Sequence, residues 1–398
     1  MHLLFVHDHR FLRGPDGAVY TQGSFPAAVW ERYLEHFDDI VVVARDGGAY
    51  AGESLARADH PKVRFSLVAS SSFAERLGLA DGAASRLMHS EIASAGGVIV
   101  RLPSDLGLLA ASEARSAGRP LLIEVVGCAY DAYANHGSRA AKLYARLAML
   151  RMKHAIARSR FALYVTEHWL QARYPSASGA VTAHASNVVL EPCASGTLLA
   201  RDLRLAALQA GSAPVIGTVA SLSTASKGLQ TMFAALAMLR EQGFAAIDYR
   251  ILGPGDPASW QALAARYGIA DWVRFDGSRA AGTSVLEWLD DIDLHSQPSL
   301  QEGLPRATIE AMSRGCASIG STVGGLPELL PGARLHRPGD ASGLARLLAS
   351  LIRDPKELAA ASAIDRTKAQ GYLKAAIDSR RSQLFARFAQ SVRMAGKV

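Results

Sequence analysis

The chain has 398 residues, 49% of them hydrophobic and 20% charged, with a formal net charge of +7. That length exceeds what one hydrophobic core organises, so two domains are expected, and the composition is that of a soluble globular protein without low-complexity tracts. No apolar run approaches the ~18 residues that a membrane-spanning helix needs, and the opening "MHLLFVHDHRF" is too short in apolar residues for a secretory signal. Cys128, Cys193 and Cys316 lie far apart with no CxxC spacing, which suggests reduced thiols in a cytoplasmic protein and neither a disulfide framework nor a zinc site.

In chain order, short β-type runs alternate with helical stretches, the pattern of an α/β protein with parallel sheets. The first half offers strands at "LLFVH" (3–7), "IVVVA" (40–44), "RFSLV" (64–68), "GVIVRL" (97–102), "PLLIEVV" (120–126) and "FALYVT" (161–166), with a helix over "PAAVWERYLEHF" (26–37). The pattern restarts with "PVIGTVA" (214–220), a helix from Lys227 to Arg240, "IDYRILG" (247–253), "WVRFDG" (272–277), "DLHSQPS" (293–299) and "CASIGS" (316–321). The expected division is a first Rossmann-like domain over 1–195, a linker over 196–213, a second such domain over 214–355 and helices over 356–398 that pack back across both. Ligands of such folds sit beyond the carboxyl ends of the strands, and with two domains the natural site is the cleft between them.

The positive charge is concentrated. Residues 139–160 carry seven Lys/Arg and no acid, and the last 33 residues carry eight Lys/Arg and one acid, Asp378. Leu143, Leu147, Leu150 and Met152 interleave with the first cluster at roughly helical spacing, which suits a helix lying on an anionic lipid surface as well as a core helix with a solvated basic side. Aromatic interleaving and nucleic-acid-binding signatures are missing, so no nucleic-acid partner is expected.

The stretch "QPSLQEGLPRATIEAMSRG" (297–315) is the most informative. Pro305 suits the first position of a helix and Gly315 its C-terminal stop, so Glu302 and Gly303 fall on the turn leading in and Glu310 falls inside the helix. Free N–H groups and the helix dipole make such a turn a place to hold phosphate. Three further turns follow strands: "SLSTASKG", with Ser221 and with Lys227 at a helix start; "LGPGD", with Gly253; and "STVGGLPELL", with Gly325. Each alone is an ordinary turn, whereas the four in order with two glutamates point to a nucleotide site. In the first half, His7, Asp8 and His9 close the first strand, and Asp16-Gly17 suits a tight turn. Asp291 and Asp293 suit capping better than metal binding, and no P-loop, GxGxxG or nucleophile elbow occurs.

These motifs resemble the donor half of retaining glycosyltransferases of the GT-B fold, in the family-four group that builds bacterial surface polysaccharides. The likeness is clear over about 214–330 and looser in the first half, through "HDHRFLRGPDGAVYTQGSFP", "RLPSDLG" and "EVVGCAYDAYANHG". It implies two Rossmann-like βα domains facing across a cleft, and it implies roles. Glu310 would bind the ribose of a nucleotide-sugar, while Glu302 with the Gly303–Leu304 backbone would face the transferred sugar. Lys227 would neutralise the diphosphate, Ser221 and Gly253 would border the donor, and Gly325 would help cradle the phosphates. Asp16 and Gly17 would lie near the donor. Many relatives carry a histidine after the strand matching "PLLIEVV", where this chain has Gly127-Cys128. Asp131 and His136 are the nearby candidates for acceptor or sugar contact, beside His7 and His9. Neither metal nor cofactor is implied; the acceptor would be a saccharide, lipid-linked at the cytoplasmic membrane face. Two other readings stay open: a sugar-nucleotide epimerase of the same architecture, and a non-catalytic glycosyltransferase-like binding subunit.

Overall fold

A computed structural model describes residues 1–23, 25–50, 55–69, 82–134, 139–208, 214–244, 247–280 and 282–396. The chain forms two compact units, Met1–Ala185 with Asp378–Val398, and Ser186–Ile377.

The first unit is built on one sheet. Its strands are β1 (His2–Arg13), β2 (Val19–Thr21), β3 (Asp39–Ala49), β4 (Ala56–Arg57), β5 (Val63–Val68), β6 (Gly97–Leu102), β7 (Leu121–Val125), β8 (Phe161–Tyr164) and β9 (Val181–His184). The parallel body runs β5-β3-β1-β6-β7-β8-β9, and β2 and β4 add an antiparallel flap on the distal half of β1. The register between β1 and β3 slips between Val6 and Arg10, so His7, Asp8 and His9 occupy an irregular stretch instead of a regular ladder. An irregularity of this kind re-aims side chains at the end of a strand. The apolar runs seen in sequence are the buried strands: Leu3, Leu4, Phe5, Val6, Val98, Ile99 and Val100 are all at most 1% exposed, as expected of a parallel sheet covered on both faces. The terminal helix Lys374–Ala395 lies largely in this unit, with Phe385 against Tyr33 and Phe388 against Phe37 and Phe161.

The second unit has a six-stranded parallel sheet of β10 (Ile216–Val219), β11 (Tyr249–Leu252), β12 (Val273–Phe275), β13 (Leu294–Gln297), β14 (Ala317–Ser321) and β15 (Leu335–His336), in the order β12-β11-β10-β13-β14-β15. Strand order reverses between β10 and β13, the switch point at which the connections leave the sheet in opposite directions and open a crevice.

Two local expectations are corrected. The linker expected over 196–213 is for most of its length the helix Ser195–Ala207 of the second unit. Its Arg201 is buried and donates to the carbonyls of Leu289, Asp290 and Ile292, and Arg204 bonds Asp293 at 2.6 Å and the Asp290 carbonyl at 2.9 Å. Arginines that satisfy the last carbonyls of the helix Thr283–Asp290 turn a polar-looking segment into a clamp. In the helix Arg139–Ala157, Met152 does not share a face with the leucines. Met152 packs inward with Ala145, Ala148, Ala155 and Ile156, while Leu143, Leu147 and Leu150 are 84%, 44% and 58% exposed. Among the described residues no helix is long and apolar enough to cross a membrane.

Candidate functional site

In the second unit the loops that follow β10, β11, β13 and β14 lock together at the carboxyl edge of the sheet. After β10, the Thr224 hydroxyl caps the Ser226 N–H and starts a single 3-10 turn over Ala225–Lys227. Lys227 therefore closes that turn and does not open the next helix, Leu229–Glu241, as the sequence suggested. Gly228 between them has φ +73°, and a Cβ there would lie 1.9 Å from the Pro298 carbonyl oxygen. Only glycine allows both that conformation and that contact. The Leu300 N–H then donates to the Ser226 carbonyl at 2.8 Å. The β10 loop and the β13 loop are in this way pressed backbone to backbone.

This contact brings Lys227 to Glu302. The Lys227 Nζ lies 2.6 Å from Glu302 Oε1. The same oxygen accepts from Gln297 Nε2 at 2.9 Å and from Ser299 Oγ at 2.7 Å, and Gln297 Nε2 also reaches Ser299 Oγ at 2.8 Å. The Glu302 side chain is 7% exposed. Three donors on one oxygen hold the carboxylate in a single orientation. Gln297 and Ser299 were not singled out from sequence, although both lie inside the motif and Gln297 ends a strand in which a polar residue is out of place.

The helix after this loop runs Arg306–Ser313, with Pro305 one position outside it as N-cap and Gly315, at φ +74°, just past its end. Glu310 sits on this helix. Its carboxylate has no hydrogen-bond or ion-pair partner among the described residues, and burial raises its pKa above the usual carboxylate value against the opposing effect of Arg306. A half-buried carboxylate without a partner among the described residues is placed to accept hydrogen bonds from a ligand. Gly303 and Leu304 lead into the helix, and their N–H groups donate to no group among the described residues.

The remaining expected donor residues have structural partners. Ser221 Oγ accepts weakly from the Ser223 N–H at 3.4 Å. Gly253 approaches protein and not open space: a Cβ there would lie 1.9 Å from the Ala220 carbonyl, and its N–H donates to Gly277 at 2.7 Å. The Gly325 N–H, expected to be free for phosphate, donates to the Gly303 carbonyl at 2.6 Å. Gly325 therefore buttresses the loop that carries Glu302. Asp290 and Asp293 are paired by Arg314 and Arg204.

In the first unit the strand order reverses between β1 and β6, and a second polar cluster stands there. His7 Nδ1 is enclosed without a partner, and burial, then Arg101 and His9, lower its pKa to about 3, so the ring is neutral. His9 Nε2 lies 2.6 Å from Thr21 Oγ1, and burial followed by Arg101 lowers its pKa too. Arg101 lies over the Phe25 ring and donates to Glu124 at 3.1 Å; Glu124 also accepts from the Tyr33 hydroxyl at 2.9 Å. Asp8 instead turns to the helix Asp105–Ser116, accepting the Asp105 and Leu106 N–H groups and Arg45 Nε. Asp16 and Gly17 do form the expected tight turn, with Gly17 at φ +76° and Asp16 bonded to Ala18 N and the Tyr20 hydroxyl. Asp131 lies 4.0 Å from Arg173, apart from this cluster in sequence and element. His136 falls outside the described residues.

Two sheets of Rossmann-like order, each with its polar cluster at the switch point, define the GT-B class of fold. The fold matches that of HepE from Anabaena, crystallised with UDP and glucose, with a TM-score of 0.63 at 15% identity over 98% of this chain and 99% of that one. Residues 213–354, which hold the whole Lys227–Glu302–Glu310 group, match the family described as "Glycosyl transferases group 1", and the chain carries a domain of that family. Protein CapJ of Staphylococcus aureus is 29% identical over 87% of this chain and 85% of its own length. The putative colanic acid biosynthesis glycosyltransferase WcaL of Escherichia coli K12 is 35% identical over 34% of this chain and 36% of its own.

Proposed function

We propose that the chain is a retaining glycosyltransferase that moves a sugar from a nucleoside-diphosphate sugar to a lipid-linked saccharide during synthesis of a bacterial surface polysaccharide. The observation that carries this reading is the Lys227–Glu302 pair, 2.6 Å apart at the switch point, with the unpaired Glu310 carboxylate on the helix that follows. The colanic acid role in the name of WcaL and the UDP and glucose held by HepE point the same way.

In this scheme Glu310 accepts hydrogen bonds from the two ribose hydroxyls. Lys227 faces the diphosphate, and Glu302 with the Gly303–Leu304 backbone faces the sugar. The bond between the sugar's anomeric carbon and the phosphate oxygen breaks, and that oxygen gains negative charge. Positive groups already aimed at it stabilise the transition state without reorganising. The acceptor hydroxyl attacks on the face the phosphate leaves, forming the new anomeric C–O bond, and its proton passes to the departing phosphate oxygen. Configuration is retained and a nucleoside diphosphate is released. Ser221, Gly253 and Gly325 shape the donor loops, and Asp16-Gly17 is assigned to the donor's vicinity. Acceptor contacts are assigned to His7, His9, Asp131 and His136. No metal or cofactor is assigned, because Lys227 and helix amides supply the positive charge.

The exposed leucines of the helix Arg139–Ala157, with Arg139, Lys142 and Arg146 exposed beside them, are assigned to the anionic surface of the membrane that holds the acceptor lipid. The test of the reaction is transfer from a panel of nucleotide-sugars to saccharide-lipid acceptors, with the anomeric proton of the product read by NMR. Retained configuration is expected. An inverted product would contradict the mechanism, and conversion of the sugar-nucleotide with no acceptor present would make the protein an epimerase.

A further inference from the structure

The donor-site reading leaves one group unused. Next to Glu302, on the buried face of β13, stand His295 and Gln297, both at most 1% exposed. Residues two apart on a strand point to the same face. His295 Nδ1 and Gln297 Oε1 are each enclosed with no partner in hydrogen-bonding geometry. One can donate and the other can only accept. The far side of the imidazole is occupied, with Nε2 3.3 Å from the hydroxyl of Thr308, a fully buried residue of the helix Arg306–Ser313. With that hydroxyl donating to Nε2, the ring proton belongs on Nδ1, the ring atom left without a partner on the strand face shared with Gln297. Gln297 in turn has its amide nitrogen on Glu302 Oε1 and Ser299 Oγ.

We infer that Thr308, His295 and Gln297 form a buried relay of positioning residues that orients the Glu302 carboxylate. The neutral imidazole donates to Gln297 Oε1, which forbids the flipped amide and obliges Gln297 Nε2 to face Glu302. With Oε1 of Glu302 held by Gln297, Ser299 and Lys227, its other oxygen is the one presented to a ligand. Two further facts fit. The His295 pKa is lowered to about 4, by burial first and by Lys227, and Gln297 opposes the shift as an acceptor does. A ring without charge keeps one N–H and one lone pair, which a relay needs. The relay also explains why a strand that carries only Leu294 as an apolar side chain is polar at His295, Ser296 and Gln297 while fully buried. When a donor draws Lys227 toward its diphosphate, Gln297 and Ser299 keep Glu302 in place.

This inference rests on the donor-site reading for its kinetic consequence but not for its geometry, so two measurements are paired. In full-length protein with 15N-labelled histidine, His295 should be neutral at pH 7 with the proton on Nδ1, and Gln297→Leu should abolish that preference. A charged ring, or the proton on Nε2, overturns the relay whether or not the protein turns over any donor. In steady-state assays Gln297→Leu should lower kcat by about tenfold or more with the donor KM within twofold, and lower Tm, because His295 is left unpaired. The double variant His295→Leu/Gln297→Leu removes both partners, so Tm should recover while kcat stays low. A merely structural role would restore both together, and a Gln297→Leu enzyme with wild-type kcat would overturn the positioning role. If the wild type neither binds a nucleoside diphosphate nor transfers a sugar, the donor-site reading fails, and the tautomer alone decides the relay.

Discussion

The two glutamates of the motif differ in what surrounds them, and the difference assigns their labour. Glu302 already has three donors on one oxygen, so its environment orients it for work at the sugar. Glu310 has none among the described residues, and burial raises its pKa. Glu310→Ala should weaken donor binding by about tenfold or more, the scale of a lost charged hydrogen bond, with a smaller change in kcat. Glu302→Ala should lower kcat by about a hundredfold, and equal turnover at saturating donor would refute this division.

The pH dependence follows in sign. Ribose hydroxyls favour the ionised carboxylate, so donor affinity should fall as pH drops through the raised Glu310 value, beginning above the free value of 4.5. Without ligand the same group costs stability as pH rises through that interval, because the folded state resists ionisation there. Calorimetric titration from pH 5 to 7.5 with Glu310→Gln as reference separates this from the nucleotide's own titration. Identical slopes in the two proteins would contradict it.

At the scale of elements, strands were read best. β6 matches its expected run residue for residue and most others differ by one or two positions, because parallel strands buried on both faces are continuous apolar runs bounded by glycine, proline or polar residues. Short β2, β4, β9 and β15 were not seen; none of them is a fully buried apolar run. The helix expected over 26–37 shrinks to a 3-10 turn and the four residues Glu31–Leu34, since Trp30 and Tyr33 are held by tertiary packing around Phe5 and not by helical spacing.

The basic helix shows what spacing alone cannot tell. Its leucines and its alanines both recur at helical intervals, and only the structure shows that the alanines pack inward. The exposed Leu143, Leu147 and Leu150 form an i, i+4, i+7 stripe beside cationic side chains. Replacing Leu143 and Leu147 by Asp should reduce sedimentation with vesicles rich in anionic lipid by at least tenfold and leave nucleotide binding unchanged. Equal binding to the vesicles would return the stripe to an ordinary solvated surface.

At the scale of the whole molecule, the restart of the β-α pattern announced two units, and the structure puts the boundary at Ala185–Ser186 with a return of the chain at Asp378. The return was expected, as helices over 356–398 packing back across both domains, but its partners were not. What ties it to the first unit is aromatic packing by Phe385 and Phe388, contacts that join residues over 200 positions apart and leave no local trace. The site was legible to the extent that its residues sit in one motif: Glu302, Gly303, Leu304 and Glu310 stand where a helix N-terminus was expected. Gln297 and Ser299 were missed because their partner is Glu302's own carboxylate, and the Gly325 N–H was expected free although it meets a carbonyl 22 residues away in sequence.

The most direct test of a nucleotide-sugar site in the second unit is thermal stability of the wild type and Glu310→Ala against UDP, GDP and ADP. A ligand at 100 times its dissociation constant adds about 2.7 kcal/mol of apparent stability, a Tm shift of a few degrees for domains of this size. One nucleoside diphosphate should stabilise the wild type by that amount and Glu310→Ala by about half as much or less. Equal stabilisation of both proteins, or of neither by any of the three, would contradict the account.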